Sequence, residues 1–251
     1  MEATFNTGLN TYFGGKAAAG VVHQIINQLP RHDVFVSGFA GNCAVLRHKL
    51  PALYNVAIDL DPDVCDRWDT NDGLHVLETS FLDYLGDYPR RYFWDAAVAE
   101  RLTTLFYLDP PYLGETRADG RPRYKCEAID ADWHRQLLEL VVAKAAQHPG
   151  HALFCISCYD NPLYQAMLQP PTWRKIQFKA RTRAYTATET LYMNYPAPTP
   201  EQLHDTRFLG QNFRHRERIK RRVGRFVREL NLMPAEDRFL VLRAVNEHFK
   251  N

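Results

Sequence analysis

Long apolar runs are absent from this chain, and with them any segment able to cross a bilayer as a helix. The N-terminus has no basic stretch followed by an apolar one, so no secretory leader is expected. Cysteine is sparse: Cys43, Cys65, Cys126, Cys155 and Cys158 are odd in number and follow no repeating pattern, which excludes a disulfide scaffold. Cys155 and Cys158 form a CxxC inside the apolar stretch FCIS with no second pair, so neither a zinc site nor a redox pair is expected, and metal ligands are expected to be none. Internal repeats and low-complexity tracts are also missing. The expectation is a chain for a reducing, cytoplasmic setting with no membrane partner.

Charge of one sign is lacking overall, since the net charge is only +2, too little to advertise a nucleic-acid partner. A composition of 45% hydrophobic and 24% charged in 251 residues fits one soluble domain, or one domain with an appendage. The distribution of charge is uneven. Residues 207–228 carry nine Lys/Arg against one acid, Glu217, which leaves the rest of the chain net acidic.

What is present centres on LFYLDPPY, residues 105–112. Leu105 to Leu108 read as a buried parallel strand, and Pro110 and Pro111 cannot extend it because neither supplies a backbone donor. The strand must end at Asp109. In an open α/β sheet the carboxyl ends of the strands face the ligand crevice, which would present Asp109 as an acceptor and Tyr112 as an aromatic plate on a stiff turn. A planar heterocycle bearing an amine suits both groups.

Upstream, TYFGGK (residues 11–16) leads into Val21, Val22, Ile25, Ile26 and Leu29 at helical spacing, closed by Pro30. Residues 34–37 then read as a short strand, with Gly38 and Gly41 in a turn and Ala44, Val45 and Leu46 opening a helix, the layout that cradles a nucleotide-like group. The strand YNVAID ends at Asp59, 18 positions beyond Gly41, where such folds place an acid on ribose hydroxyls. Asp61 is the second choice, and Asp59 as a cap of the helix starting at Pro62 is the plain alternative. Ser80 to Asp83 read as another strand end. Arg90 and Arg91 lie in a basic-aromatic cluster, and Arg117, Arg121 and Arg123 in a Gly- and Pro-containing loop just after Tyr112.

Further on, Asp130 or Asp132 caps a helix through Leu137 and Val142, ALFCIS is a second buried strand, and residues 173–180 with 189–195 form an antiparallel hairpin at the sheet edge. PAPTP, residues 196–200, reads as a stiff linker. The expected division is a domain over 1–195, a Pro-rich linker over 196–206 and a basic helical appendage over 207–251. In the appendage Ile219, Val223, Phe226, Val227 and Leu230 share a helical face, with Arg216, Lys220, Arg221 and Arg225 largely elsewhere as phosphate contacts. Pro234 opens a second helix.

The motif order YFGGK, FAGNCAV, an acid after the second strand and DPPY resembles the Dam-type adenine-N6 DNA methyltransferases, over about residues 12–195. YDNPLY (residues 159–164) and TETLYMNY (residues 188–195) look like the phage and prophage branch. The resemblance implies an α/β, Rossmann-like S-adenosylmethionine-dependent methyltransferase sheet with an antiparallel edge hairpin and a small C-terminal helical appendage. It implies S-adenosylmethionine as cofactor, held by Tyr12, Phe13, Gly14, Gly15, Lys16, Phe39, Ala40, Gly41, Asn42, Asp59, Leu60, Asp83 and Asp109. It implies catalysis at Asp109, Pro110, Pro111 and Tyr112 on an adenine of DNA. An RNA or protein-glutamine methyltransferase and a catalytically idle nucleic-acid-binding module are the alternatives. Two departures stand out: Cys43 occupies the second glycine position of the family's FxGxG turn, and the segment before DPPY is too short for a target-recognition domain.

Overall fold

The computed structural model describes residues 5, 20–70, 73–86, 102–113, 130–181, 186–210 and 212–249. These fall into two compact units, Met1–Thr206 and Arg207–Asn251.

The first unit is built on β1 (Val34–Ser37), β2 (Tyr54–Asp59), β3 (Leu74–Glu78), β4 (Thr104–Leu108), β5 (Ala152–Cys158), β6 (Arg174–Arg181) and β7 (Thr186–Met193), in the spatial order β3-β2-β1-β4-β5-β7-β6. The first five strands are parallel, while β7 runs antiparallel to β5 and β6 antiparallel to β7. The sheet is therefore Rossmann-like with an antiparallel edge hairpin, as expected. Every residue of β1, β4 and β5 is buried, which is why these segments show unbroken apolar runs rather than alternation.

Around the sheet lie α1 (Val21–Ile26), α2 (Ala44–His48), α3 (Pro62–Cys65), α4 (Phe81–Gly86), α5 (Ala131–Gln147) and α6 (Pro162–Met167). One core joins Val34, Val36, Phe106, Leu108, Phe154 and Ile156 of the strands to Phe81, Leu85, Leu137 and Val141 of α4 and α5, and Phe106 stacks on Phe154 at 4.8 Å. Each such side chain contributes about 1.5–3 kcal/mol by leaving water. Local signals set the helix starts. Asp130 accepts from Trp133 N at 2.8 Å to cap α5, and Asn161 accepts from Tyr164 N at 3.1 Å to cap α6. Cys155 and Cys158 sit three positions apart on β5 and so point to opposite faces, which prevents both thiols from meeting one metal or each other.

Two expectations are corrected. The third strand ends at Glu78, and Asp83 is exposed in the first turn of α4, because Ser80 accepts from Leu82 N at 3.2 Å and starts the helix there. Residues 196–206 are no free spacer: Leu203 bridges to Pro30, Arg31 N donates to Gln202 O at 2.8 Å, and Leu50 N donates to the Asp205 carboxylate at 3.0 Å. Pro200 opens a single 3-10 turn over Pro200–Gln202, and the polar groups of the segment find partners in the chain it runs beside.

The second unit contains α7 (Phe213–Leu232), capped by Asn212, and α8 (Ala235–His248), joined by Met233 and Pro234. The apolar face of α7 is open, with Ile219, Val223, Phe226 and Val227 between 41% and 54% exposed.

Candidate active site

The sheet order reverses direction between β1 and β4, the place where open α/β sheets form a crevice at the carboxyl ends of their strands. Ser37 pairs with Tyr107 in register, so the turn starting at Gly38 and the turn starting at Asp109 leave the sheet side by side. Gly38 N donates to Tyr107 O at 3.1 Å, which fixes the two exits to one another. A Cβ on Gly38 would stand 2.6 Å from Leu108 Cδ2 and 2.7 Å from Phe81 Cδ2, so only glycine fits.

The first turn is tied to β2. Ala40 N donates to Ile58 O at 2.8 Å, Gly41 takes a left-handed φ of 40°, and its N–H donates to Asp59 Oδ2 at 2.8 Å. The other oxygen of Asp59 accepts from Asp61 N at 3.0 Å. Burial pushes the Asp59 carboxyl above the ordinary range, against the pull of those backbone donors. Asp61, not Asp59, caps α3, accepting from Asp63 N at 3.0 Å, which leaves Asp59 at the crevice. Leu60 beside it is 39% exposed. Phe39 is half-buried against Phe81 and Trp133, at 5.5 and 5.9 Å, and buried Asn42 accepts from Arg47 at 3.0 Å.

Cys43 takes an ordinary φ of −55° and its sulfur accepts from Leu46 N at 3.4 Å. The residue in the second glycine position thus serves as the N-cap of α2, a place where a short side chain with an acceptor is favoured. Burial raises its thiol pKa, which disfavours the thiolate.

On the second turn Pro110 and Pro111 are buried, with Asp109 and Tyr112 half-buried. Three groups that sequence reasoning did not assign to the site surround Tyr112. Its hydroxyl donates to Glu189, Ser157 Oγ donates to the same carboxylate oxygen at 2.8 Å, and Tyr159 lies 4.4 Å from the Tyr112 ring at 56°. Glu189 is 3% exposed, and a single acid buried among the threonines and apolar residues of its strand is the signal that marks it in TETLYMNY. Burial first, then the negative charges of Asp109 and Glu189, hold the Tyr112 phenol well above its ordinary range. Asp160, next to Tyr159, accepts from Tyr192 at 2.6 Å and from Lys175 and Gln177 at 3.1 Å, fastening this rim to the edge hairpin.

The structure thus brings together Phe39, Ala40, Gly41, Asn42, Asp59, Leu60 and Asp109 to Tyr112, but not Asp83. Tyr12, Phe13, Gly14, Gly15, Lys16, Arg90, Arg91, Arg117, Arg121 and Arg123 lie outside the described residues. On α7, Lys220, Arg221 and Arg225 are exposed, whereas Arg216 is half-buried with Nη1 3.4 Å from Gly210 O.

No family model and no curated protein matches the chain. Among solved structures it is similar to TrmN from Thermus thermophilus, at 12% identity and a TM-score of 0.43, over 71% of this chain and 48% of that one. An rRNA methylase from Streptococcus thermophilus matches at 11% identity and a TM-score of 0.40, over 68% of this chain and 92% of that one. The METTL16 methyltransferase domain matches at 10% identity and a TM-score of 0.41, over 69% of this chain and 79% of that one. The chain spans 32% of SMU.472, solved with SAH. With every TM-score below 0.5, these likenesses fix neither substrate nor activity.

Proposed function

We propose that this chain transfers a methyl group from S-adenosylmethionine to the N6 amine of adenine in DNA. The observation that carries this is the pairing of the two turns at the switch point: a glycine turn braced by Asp59, and beside it DPPY with its acceptor and its aromatic ring. The residues present fit the cofactor. Asp59 offers an acceptor for ribose hydroxyls next to the exposed apolar Leu60, a match for a nucleoside. Each oxygen of Asp59 keeps a second lone pair beyond its backbone bond. The resemblance adds Tyr12 and Lys16, with Lys16 near the carboxylate of the cofactor. S-adenosylmethionine supplies, when bound, a methyl group activated by its sulfonium.

The rest falls to the protein. An exocyclic amine is a poor nucleophile because its lone pair is conjugated into the ring. Acceptors at the Asp109 carboxylate and the Pro110 carbonyl draw its hydrogens, localise the lone pair on nitrogen and give the departing proton a place at Asp109. The base leaves the duplex at a cost of a few kcal/mol, and stacking on Tyr112 returns about 1–3 kcal/mol. The Lys/Arg face of α7 supplies phosphate contacts. Incubating the protein with S-adenosylmethionine and matched adenine-containing duplex DNA and RNA, followed by intact mass, is the direct test. Methyl added to DNA is the expected result; transfer to RNA alone, or to neither, overturns the assignment.

A further inference from the structure

Gly224 stands in the middle of α7, and nothing in the fold requires glycine there. Its φ is not left-handed, and a Cβ built on it would meet no atom within 4 Å. Glycine in an exposed helix interior lowers helix stability, and here no close approach of another part of the chain offsets that loss. What the missing side chain creates is a notch on the helix surface, lined by Arg221, Gly224, Arg225 and Arg228. Arg221 stands one turn before the glycine, Arg228 one turn after it and Arg225 beside it, so all border the same spot. The three guanidinium groups are exposed, and among the described residues none has an acceptor. Acids stand close in sequence, Glu217 four positions before Arg221 and Glu229 four after Arg225, yet neither pairs with them. Elsewhere the chain does engage its cations: Arg243 meets Glu247 at 3.7 Å, and Arg174 donates to Tyr195 O and Gln28. Unneutralised planar forks around a floor without a side chain match a compact anion with several acceptor oxygens.

We propose that the notch over Gly224 is the seat of one backbone phosphate of DNA, held by Arg221, Arg225 and Arg228, with the glycine letting the phosphate lie against the helix. The inference rests on the reading that α7 faces DNA, and it adds to that reading a discrete site that includes Gly224 and Arg228. The helix interior offers no backbone donor, since its N–H groups are bonded within the helix, so the guanidinium groups alone hold the anion. With about 3.6 residues per turn, the notch falls on the side of α7 opposite Ile219, Val223, Phe226 and Leu230. A helix lying on a lipid surface turns its apolar side inward, which would leave the notch facing water and away from the headgroups. A phosphodiester of DNA needs no such orientation. Held in this way it carries no base information, so the seat sets affinity and register and not the target sequence.

The test uses the full chain with Gly224→Ala, Gly224→Gln and Arg228→Gln. Binding of a fluorescent duplex DNA is followed by anisotropy at several salt concentrations. Both glycine variants should gain helix by circular dichroism, because alanine and glutamine are the better helix formers. Both should nevertheless bind DNA more weakly, Gly224→Gln by about tenfold and Gly224→Ala by less. A glycine with a purely structural role does not give that pair of opposite changes. Arg228→Gln should make the slope of log K against log salt shallower by up to about 0.9, and it should cost little further affinity when added to Gly224→Gln, since both act on one phosphate. Wild-type affinity in Gly224→Gln, or an unchanged salt slope in Arg228→Gln, overturns the seat and leaves the methyltransferase assignment standing. Loss of capture by phosphatidylserine vesicles in Gly224→Gln, with DNA binding unchanged, overturns it in favour of a lipid headgroup. Absence of salt-dependent DNA binding in the wild type overturns the reading of α7 and this inference with it, whereas methyl transfer followed by intact mass reports on the active site.

Discussion

The carboxylate of Asp59 accepts a hydrogen bond from the backbone N–H of Gly41 at 2.8 Å, across 18 residues of chain. One side chain therefore shapes the glycine turn and stands ready for a ligand. Asp59→Asn replaces one acceptor oxygen by a donor, so a bond to the turn or to ribose is lost. S-adenosylmethionine affinity should fall about tenfold or more by calorimetry, the equivalent of a charge-assisted bond of about 1.5–3 kcal/mol. Because burial raises this carboxyl, wild-type affinity should also decline as the pH is lowered into its titration range, where protonation removes the acceptor, and the decline should be missing in Asp59→Asn. Equal affinities would move the ribose contact elsewhere.

Asp109→Ala should abolish methyl transfer, by at least about a hundredfold, while the circular dichroism spectrum stays that of the wild type. The side chain ends a fully buried strand and is itself half-buried, so its loss removes an acceptor without opening the core. Near-normal turnover in this variant would remove DPPY from the chemistry.

Much of this site was legible in the sequence because both turns are written in residues whose backbone limits are severe. Pro110 and Pro111 end β4 where expected, and Gly38 and Gly41 mark the turn after β1. Asp83 was misplaced because a short helix and a strand end share the pattern Ser, apolar, apolar, acid, and only the hydrogen bond from Leu82 N to Ser80 tells them apart. Glu189 was missed for a different reason: its partners Tyr112 and Ser157 are distant in sequence, and only the β4–β5 and β5–β7 registers bring them together. The segment 196–206 was misread because proline reports what a backbone cannot form, not what its remaining donors and acceptors will bind.

Gly38 yields a stability prediction. In Gly38→Ala the added methyl meets Leu108 and Phe81, both buried in the core and unable to withdraw into solvent. Overpacking of this kind costs about 1–3 kcal/mol. Urea unfolding should show that loss with an unchanged m-value. A variant as stable as the wild type would mean that α4 shifts freely against the sheet.

The docked segment gives the chain a titrating seam. His32 is buried, donates from Nδ1 to Pro30 O at 2.7 Å and stacks on His204 at 4.0 Å, close to fully buried Lys49. Burial, then the charge of Lys49, then His204, hold His32 well below the usual histidine value of 6.5, and His204 is lowered by burial and Lys49 too. Folding thus favours the neutral rings. Below about pH 6.5 the unfolded chain binds more protons than the folded one, so stability is full above that value and is lost as the pH falls toward the depressed folded pKa. Melting temperatures taken from about pH 8 down to pH 5 should decline, and His32→Gln should flatten the decline. A melting temperature independent of pH across that window in the wild type would show that the seam does not titrate with unfolding.

On α7 the apolar residues Ile219, Val223, Phe226, Val227 and Leu230 occupy one face, and Arg221, Arg225 and Arg228 cluster around Gly224 on another. Eight Lys/Arg against Glu217 and Glu229 make that helix a single-sign surface, whereas a face needing only solubility would mix signs. Changing Arg216, Lys220, Arg221 and Arg225 together to Gln keeps helix propensity and removes four charges. DNA affinity should fall, and the slope of log K against log salt should become shallower by up to about 0.9 for each phosphate no longer neutralised. The four positions should not contribute equally. Arg216 is half-buried beside Gly210 O and should matter least, while Lys220, Arg221 and Arg225 are exposed and should carry most of the change. Affinity for S-adenosylmethionine should stay constant, since no residue of this unit is assigned to the cofactor. An unchanged salt slope in the quadruple variant would take DNA binding away from α7 and return it to Arg90 and Arg91 or to Arg117, Arg121 and Arg123.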